Sequence, residues 1–294
     1  MSATLTKTPG KVSKYLSLVT FSHTIFALPF AIIGYFLAIT FTDAVFDIKL
    51  FVLVILCMIF ARSAAMGFNR YIDRRIDEQN ARTARREIPS GVVKPQSALI
   101  FVIANCILFI ATTYFINTLC FYLSPVALLV VLGYSLTKRF TALCHLILGI
   151  GLALAPIGAY LSVTGEFARL PLFFSFAVLF WVSGFDIIYA LQDEEFDKSQ
   201  KLKSIPVWLG KRGALIFSTA LHVLSASCVI WAGVYAEFGL WYWMGVLFFA
   251  ALLTYQHTLV KPDDLSKVNI AFFTTNGIAS VVFAVFVLLD LFVK

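Results

Sequence analysis

Charge is scarce in this 294-residue chain: only 13% of its residues are Asp, Glu, Lys or Arg, about half the share of an ordinary soluble domain. Polar helix faces are missing as well, which excludes a water-soluble helical bundle of this length. Cysteine is sparse, with five in all and no C-x-x-C pair. Cys57, Cys106, Cys120, Cys144 and Cys228 each fall in an apolar run and read as small core residues, not as a disulfide framework or a zinc site. No low-complexity tract or Pro/Gly/Ser-rich linker divides the chain, so a single domain over residues 1–294 is expected.

What the chain does have is hydrophobic surface: 60% of it is apolar, with 30 phenylalanines. Apolar runs fall near residues 21–41, 50–68, 97–117, 119–136, 141–163, 170–191, 213–235, 239–260 and 269–292. Each approaches the roughly 20 residues that cross a bilayer as a helix. The predicted fold class is all-α, a polytopic membrane protein built as a bundle of nine transmembrane helices, with short joins making neighbours antiparallel. Lys7, Lys11 and Lys14 precede the first run with no small-residue cleavage site, so a removed signal peptide is not expected.

The net charge of +7 fits membrane orientation better than nucleic-acid binding. Nineteen of the 23 basic residues lie at the N-terminus or in the loops after the second, fourth, sixth and eighth runs. By the positive-inside rule those segments are cytoplasmic and the C-terminus is outside, as in a bacterial inner membrane.

Against this background two acidic clusters stand out. Asn69, Asp73 and Asp77 recur every fourth residue, and so do Tyr189, Asp193 and Asp197, with Asp186 seven residues before Asp193. On a continuing helix such positions drift only about 40° per step and climb about 6 Å, so each set shares one face. Four carboxylates on facing helix ends repel each other unless divalent cations lie between them. Mg²⁺ suits oxygen ligands and shares its coordination sphere with phosphates. Arg82, Arg85, Arg86, Lys138 and Arg139 lie on the same membrane face and suit phosphate oxygens. Arg74, Arg75, Glu78, Lys198 and Lys201 read as solvated loop charges. Together these features describe a diphosphate site at a membrane surface, and the apolar remainder points to a lipid on the other end of that substrate. The similar clusters ending the second and sixth runs also hint at internal repetition.

The pattern resembles the UbiA superfamily of intramembrane prenyltransferases. N-x-x-x-D-x-x-x-D at Asn69, Asp73 and Asp77 and D-x-x-x-D at Asp193 and Asp197 are similar to that family's two signatures. Asn80-Ala81-Arg82-Thr83, Arg86 and Pro89-Ser90-Gly91 resemble the stretch after the first motif. Tyr134 with Lys138-Arg139, Tyr189, and Lys203-Ser204 resemble the family's other conserved surroundings. The resemblance implies transfer of a polyprenyl group from its diphosphate to a small aromatic acid in ubiquinone or menaquinone synthesis. It assigns Asn69, Asp73, Asp77, Asp193 and Asp197 to Mg²⁺, and Asp186 or Asp193 to deprotonating the acceptor. Arg82, Arg86, Tyr134, Lys138, Arg139 and Tyr189 would contact substrate, with Arg62 or Arg70 facing the acceptor's carboxylate. The first helix departs from the Arg-x-Asp-x-Pro-Ile-Gly-like start typical of 4-hydroxybenzoate enzymes. It reads Ser22-His23-Thr24-Ile25-Phe26-Ala27-Leu28-Pro29, and Glu87 replaces a common Pro. The resemblance therefore implies 4-hydroxybenzoate or a dihydroxynaphthoate as the acceptor.

Two rivals were weighed. A cation-coupled secondary transporter places its acids near mid-span on broken helices, whereas these lie at cytoplasmic ends beside bases. A CDP-alcohol phosphotransferase joins its aspartates in one motif, whereas here there are two. The four histidines, His23, His145, His222 and His257, stand on different runs and read as hydrogen-bonded helix residues. The Phe-rich runs Phe173-Phe174 and Phe272-Phe273 read as packing or lipid-facing residues. A reporter that is active only outside the cytoplasm, fused after Lys294, should be active; activity only when fused in the loop after Gly91 would reverse the orientation.

Overall fold

The computed structural model describes residues 26–293. Phe21 to Ile25, with His23, and the N-terminal lysines lie outside the described residues. The described residues are all-helical apart from an isolated bridge between Lys261 and Asp264. Its elements are α1 (Leu28–Phe41), α2 (Ile48–Ile72), the short α3 (Arg74–Gln79), α4 (Pro95–Tyr114), α5 (Thr118–Thr137), α6 (Cys144–Thr164) and α7 (Arg169–Ala190). A 3-10 turn (Leu191–Asp193), the short α8 (Glu194–Ser199), α9 (Ile205–Tyr235), α10 (Leu240–Leu259), a π-turn (Ile270–Thr275) and α11 (Asn276–Phe292) complete the order. Among the described residues, seven helical stretches are long and apolar enough to cross a membrane. The 14-residue α1 is apolar but shorter, and α10 is rich in Trp and Tyr. Among the described residues each of the nine expected runs thus holds a helix, and seven of these helices are of membrane-spanning length and hydropathy.

Local chemistry sets the helix ends. Asp47 caps α2 by accepting from Lys49 N at 2.8 Å, and Asn117 caps α5 through Cys120 N at 2.8 Å. Pro95 occupies the first turn of α4, where its missing N–H costs no helical bond. Gly165 ends α6 in the left-handed region. α9 begins eight residues before the expected 213, because residues 205–209 are helical up to a break at Gly210 (φ 68°, ψ 172°).

α7 is the centre of the bundle, packed between α6 and α9. Trp181, Phe174, Phe30, Phe249 and Phe283 form its fully buried aromatic core, and the Trp181 indole N–H donates to Asn276 Oδ1 at 2.8 Å. In lipid, helices associate through close backbone approach more than through hydrophobic exclusion. Around α7 two glycines provide it. A Cβ added at Gly149 would lie 2.3 Å from Ser183 Oγ and 2.5 Å from the Leu179 carbonyl oxygen. One added at Gly184 would lie 2.3 Å from His222 Nε2. α6 and α9 are thereby drawn onto opposite sides of α7, and the end of α7 carries the second acidic motif.

Gly149→Val forces α6 off α7 and should destabilise the bundle by about 1–3 kcal/mol, read as a lower Tm in detergent. Gly133→Ala, whose added Cβ meets nothing within 4 Å, should not lower it. Equal Tm for Gly149→Val and the native chain would contradict this packing.

Candidate active site

Each acidic motif breaks its helix at its central aspartate. α2 ends at Ile72, Asp73 takes φ −91° and ψ 3°, and the six-residue α3 follows with Asp77. α7 ends at Ala190, the 3-10 turn leads to Asp193 at φ −102° and ψ 2°, and the six-residue α8 carries Asp197. The i, i+4 spacing predicts a continuing helix through each motif; the chain instead bends at Asp73 in the first and through a 3-10 turn into Asp193 in the second. The i to i+4 bonds survive it, with Asp73 N donating to Asn69 O at 3.0 Å and Asp77 N to Asp73 O at 2.8 Å. The same device at the same place in both motifs supports the hint of internal repetition.

The bends turn the carboxylates into one chamber of about 250 Å³. The residues expected to hold metal or contact substrate line it: Asn69, Asp73 and Asp77; Arg62 and Arg70; Arg82 and Arg86; Tyr134, Lys138 and Arg139; Asp186, Tyr189, Asp193 and Asp197. Arg85, which is exposed, and the flanking Pro89-Ser90-Gly91 and Lys203-Ser204 are not in the lining.

Within the chamber each motif carboxylate meets one base. Arg139 lies 2.8 Å from Asp73, Arg86 lies 2.7 Å from Asp77, and Lys138 lies 2.8 Å from Asp197. Arg82 grips Asp193 with two bonds, Nη2 to Oδ2 at 2.6 Å and Nε to Oδ1 at 3.1 Å. Asn80 adds a third bond to Asp193 Oδ1 at 3.1 Å. The pairing crosses between the motifs: Arg82, from the loop after the first, holds the second, while the adjacent Lys138 and Arg139 hold one each. Burial pushes the Asp73 carboxyl above its usual range, against the pull of Arg139. For Arg82 burial works to lower the value, but the hydrogen bonds and charge of Asp193 outweigh it and hold the guanidinium above its usual range.

Other contacts order the wall. Tyr189 accepts from Arg82 Nη1 at 3.0 Å, lies under that guanidinium, and stacks on Phe272 with centroids 4.1 Å apart. Asn69 donates to Asp73 Oδ2 at 3.1 Å. Lys203 N donates to the Lys138 carbonyl at 2.8 Å, fixing the loop that carries both bases.

The donor set is one of hard oxygens, and Asp77 Oδ2 is buried with no hydrogen-bond partner. Among the described residues no three His, Cys, Asp or Glu side chains converge on one point. A cation here would take few ligands from the protein and the rest from phosphate or water. That fits Mg²⁺, which keeps waters and shares its sphere with phosphate oxygens.

A second chamber of about 330 Å³ adjoins the first and is almost wholly apolar, lined from α2, α4, α5 and α6. Arg62, Tyr134, Leu148 and Leu152 line both chambers. Cys57 and Cys120 lie in its wall, and all five cysteines are free.

Sequence reasoning missed three participants. His145 lines the polar chamber with Nδ1 2.7 Å from Asp186 Oδ2; its only signal was a histidine near a cytoplasmic helix end. Phe272 reaches the chamber from the π-turn, although its run read as packing. Asn80 was noted in its stretch without a role. His222 and His257 are hydrogen-bonded as expected, but to each other, at 2.8 Å.

A family model described as the UbiA prenyltransferase family matches residues 27–278. The 4-hydroxybenzoate octaprenyltransferase of Nitrosomonas europaea is 30% identical over 253 residues, 85% of this chain and 85% of its own. The enzyme of the same name from Aeromonas hydrophila is 28% identical over 242 residues, 82% of this chain and 84% of its own. The apo structure of a UbiA homologue from Aeropyrum pernix is similar with TM-score 0.82 and 31% identity, covering 91% of this chain and 98% of that one. A UbiA homologue from Archaeoglobus fulgidus bound to GPP and Mg²⁺ shares the fold with TM-score 0.72 at 23% identity, covering 95% and 99%.

Proposed function

Because the chain belongs to the UbiA prenyltransferase family, and is thereby a polyprenyltransferase, we propose that it transfers a polyprenyl group from polyprenyl diphosphate to an aromatic acid, releasing pyrophosphate. The observation that carries this reading is the joining of two chambers, one lined by four carboxylate–base pairs and the other apolar. A diphosphate suits the first and an isoprenoid chain the second. Acids at the bent ends of helices, each matched with a base, do not fit a transporter's mid-membrane ion path. We read residues 1–294 as one such domain in a bacterial inner membrane, with the polar chamber facing the cytoplasm.

Asn69, Asp73, Asp77, Asp193 and Asp197 would hold Mg²⁺. When bound, Mg²⁺ supplies charge neutralisation for the departing pyrophosphate. Arg82, Arg86, Lys138 and Arg139 let go of their carboxylates and turn to phosphate oxygens, stabilising negative charge as it develops in the leaving group. The allylic carbon becomes cationic near the rings of Tyr134, Tyr189 and Phe272, whose faces favour positive charge. The apolar chamber keeps water from that carbon.

Between Arg62 and Arg70, Arg62 is the better anchor for the acceptor's carboxylate. The Nε of each is buried without a hydrogen-bond partner, but Arg70 has the Glu87 carboxylate 3.9 Å away, whereas Arg62 lines both chambers. The names of the curated relatives favour 4-hydroxybenzoate, hence ubiquinone synthesis. The departure at Ser22 to Pro29 keeps a dihydroxynaphthoate, hence menaquinone synthesis, as the second acceptor.

Purified protein with Mg²⁺ and a polyprenyl diphosphate should release pyrophosphate and form a prenylated acid with one of these acceptors. Asp73→Asn and Asp193→Asn should each lower kcat by at least about 10²-fold. Release with neither acceptor rejects the acceptor reading; full activity of both variants rejects the metal reading.

A further inference from the structure

Five aspartates line the polar chamber, and four of them face a Lys or Arg. Asp186 is the fifth. Among the described residues its ion-pair partner is His145, with Nδ1 2.7 Å from Oδ2. Its partner is an imidazole and not a Lys or Arg side chain, and its carboxylate takes one hydrogen bond where Asp193 takes three.

Position separates Asp186 from the metal motif as well. It lies seven residues before Asp193 on α7, about 10 Å deeper along the helix. Leu148 and Leu152, on the facing helix α6, line both chambers, so this depth is where the polar chamber passes into the apolar one. An acceptor ring attacking the allylic carbon must sit at that junction.

The two side chains also differ in what they face. Asp186 is 23% exposed to the chamber, while His145 is 4% exposed and stands behind it. A carboxylate only accepts, so Nδ1 carries the proton and donates. His145 Nε2 is buried with no partner, which leaves the ring with one polar task, at Asp186. The close approach at Gly149 holds the pair together. Ser183, which a Cβ at Gly149 would strike, donates to the His145 carbonyl at 3.1 Å.

The family resemblance already offers Asp186 or Asp193 as the group that takes the acceptor's proton; we propose that His145 is the positioning residue that holds the Asp186 carboxylate for that step. The inference rests on aromatic prenyl transfer as the reaction. The allylic C–O bond breaks with its electron pair going to pyrophosphate, and a ring π pair forms the new C–C bond. The hydrogen on that ring carbon then leaves as a proton to Asp186, restoring aromaticity.

The test uses the full-length enzyme with whichever acid it prenylates, unlabelled and deuterated at the reacting ring carbon. His145→Leu should lower kcat about 10²-fold while KM for the prenyl diphosphate stays within about twofold. It should also bring out a normal deuterium isotope effect absent from the native enzyme, and so should Asp186→Asn. His145→Asn, whose amide can replace the Nδ1 donor, should recover most of kcat; His145→Gln, which places its amide too far out, should not. If His145→Leu does not fold, the Asn and Gln pair decides: equal activity of the two overturns the inference. So does a His145→Leu enzyme of native kcat, one that loses prenyl diphosphate binding in step with kcat, or one without an isotope effect. A native enzyme that prenylates neither acid overturns the underlying reaction, and this inference with it.

Discussion

Four aspartates in a largely apolar protein are tolerable only because each has a cation within 2.6–2.8 Å. Asp77, Asp193 and Asp197 are buried, and unpaired burial of a charge costs several kcal/mol or more. The pairs also tie distant parts of the chain together. Arg82 binds Asp193 across 111 positions, Arg139 binds Asp73 across 66, and Lys138 reaches Asp197 from the residue beside Arg139. The loops after α2, α5 and α7 are thus clasped into one wall. The rest of the fold serves to bring those three loops to the same membrane face.

The clasp also bears on how the same residues would serve the proposed reaction. Carboxylate–base pairs balance charge without ligand. Under the proposed function a diphosphate would bring negative charge to the bases and a divalent cation positive charge to the carboxylates, so each would make room for the other. Neither exchange is favourable alone: phosphate by itself leaves carboxylates uncompensated, and metal by itself leaves guanidiniums unpaired. Binding of the two should be strongly coupled as a matter of charge balance. The helix bends at Asp73 and Asp193 matter here, because they aim the motif side chains into the chamber instead of along a helix face.

Much of this was legible in the sequence. The scarcity of charge and the spacing of apolar runs disclosed the all-helical membrane bundle, since bilayer thickness sets helix length. The i, i+4 spacing of Asn69, Asp73 and Asp77, and of Tyr189, Asp193 and Asp197, disclosed the residues that line the chamber, because bonds across each bend keep the helical register. Which base meets which acid was not legible: Lys138 and Arg139 are neighbours in sequence yet divide between the two motifs, and only the tertiary path of α5 decides that. His145 was hidden for a similar reason. Its partner lies 41 residues away, and their meeting depends on Gly149 against Ser183, a contact between helices that leaves no periodic trace.

The central claim, that metal and diphosphate replace one another's partners in the clasp, is tested most directly by equilibrium binding of an unreactive prenyl thiolodiphosphate to the native protein with and without Mg²⁺. The account predicts that Mg²⁺ tightens the analogue by the upper part of the range for coupled sites, about 100-fold, and that the analogue tightens Mg²⁺ by the same factor. Equal affinity for the analogue in Mg²⁺ and in EDTA would contradict it.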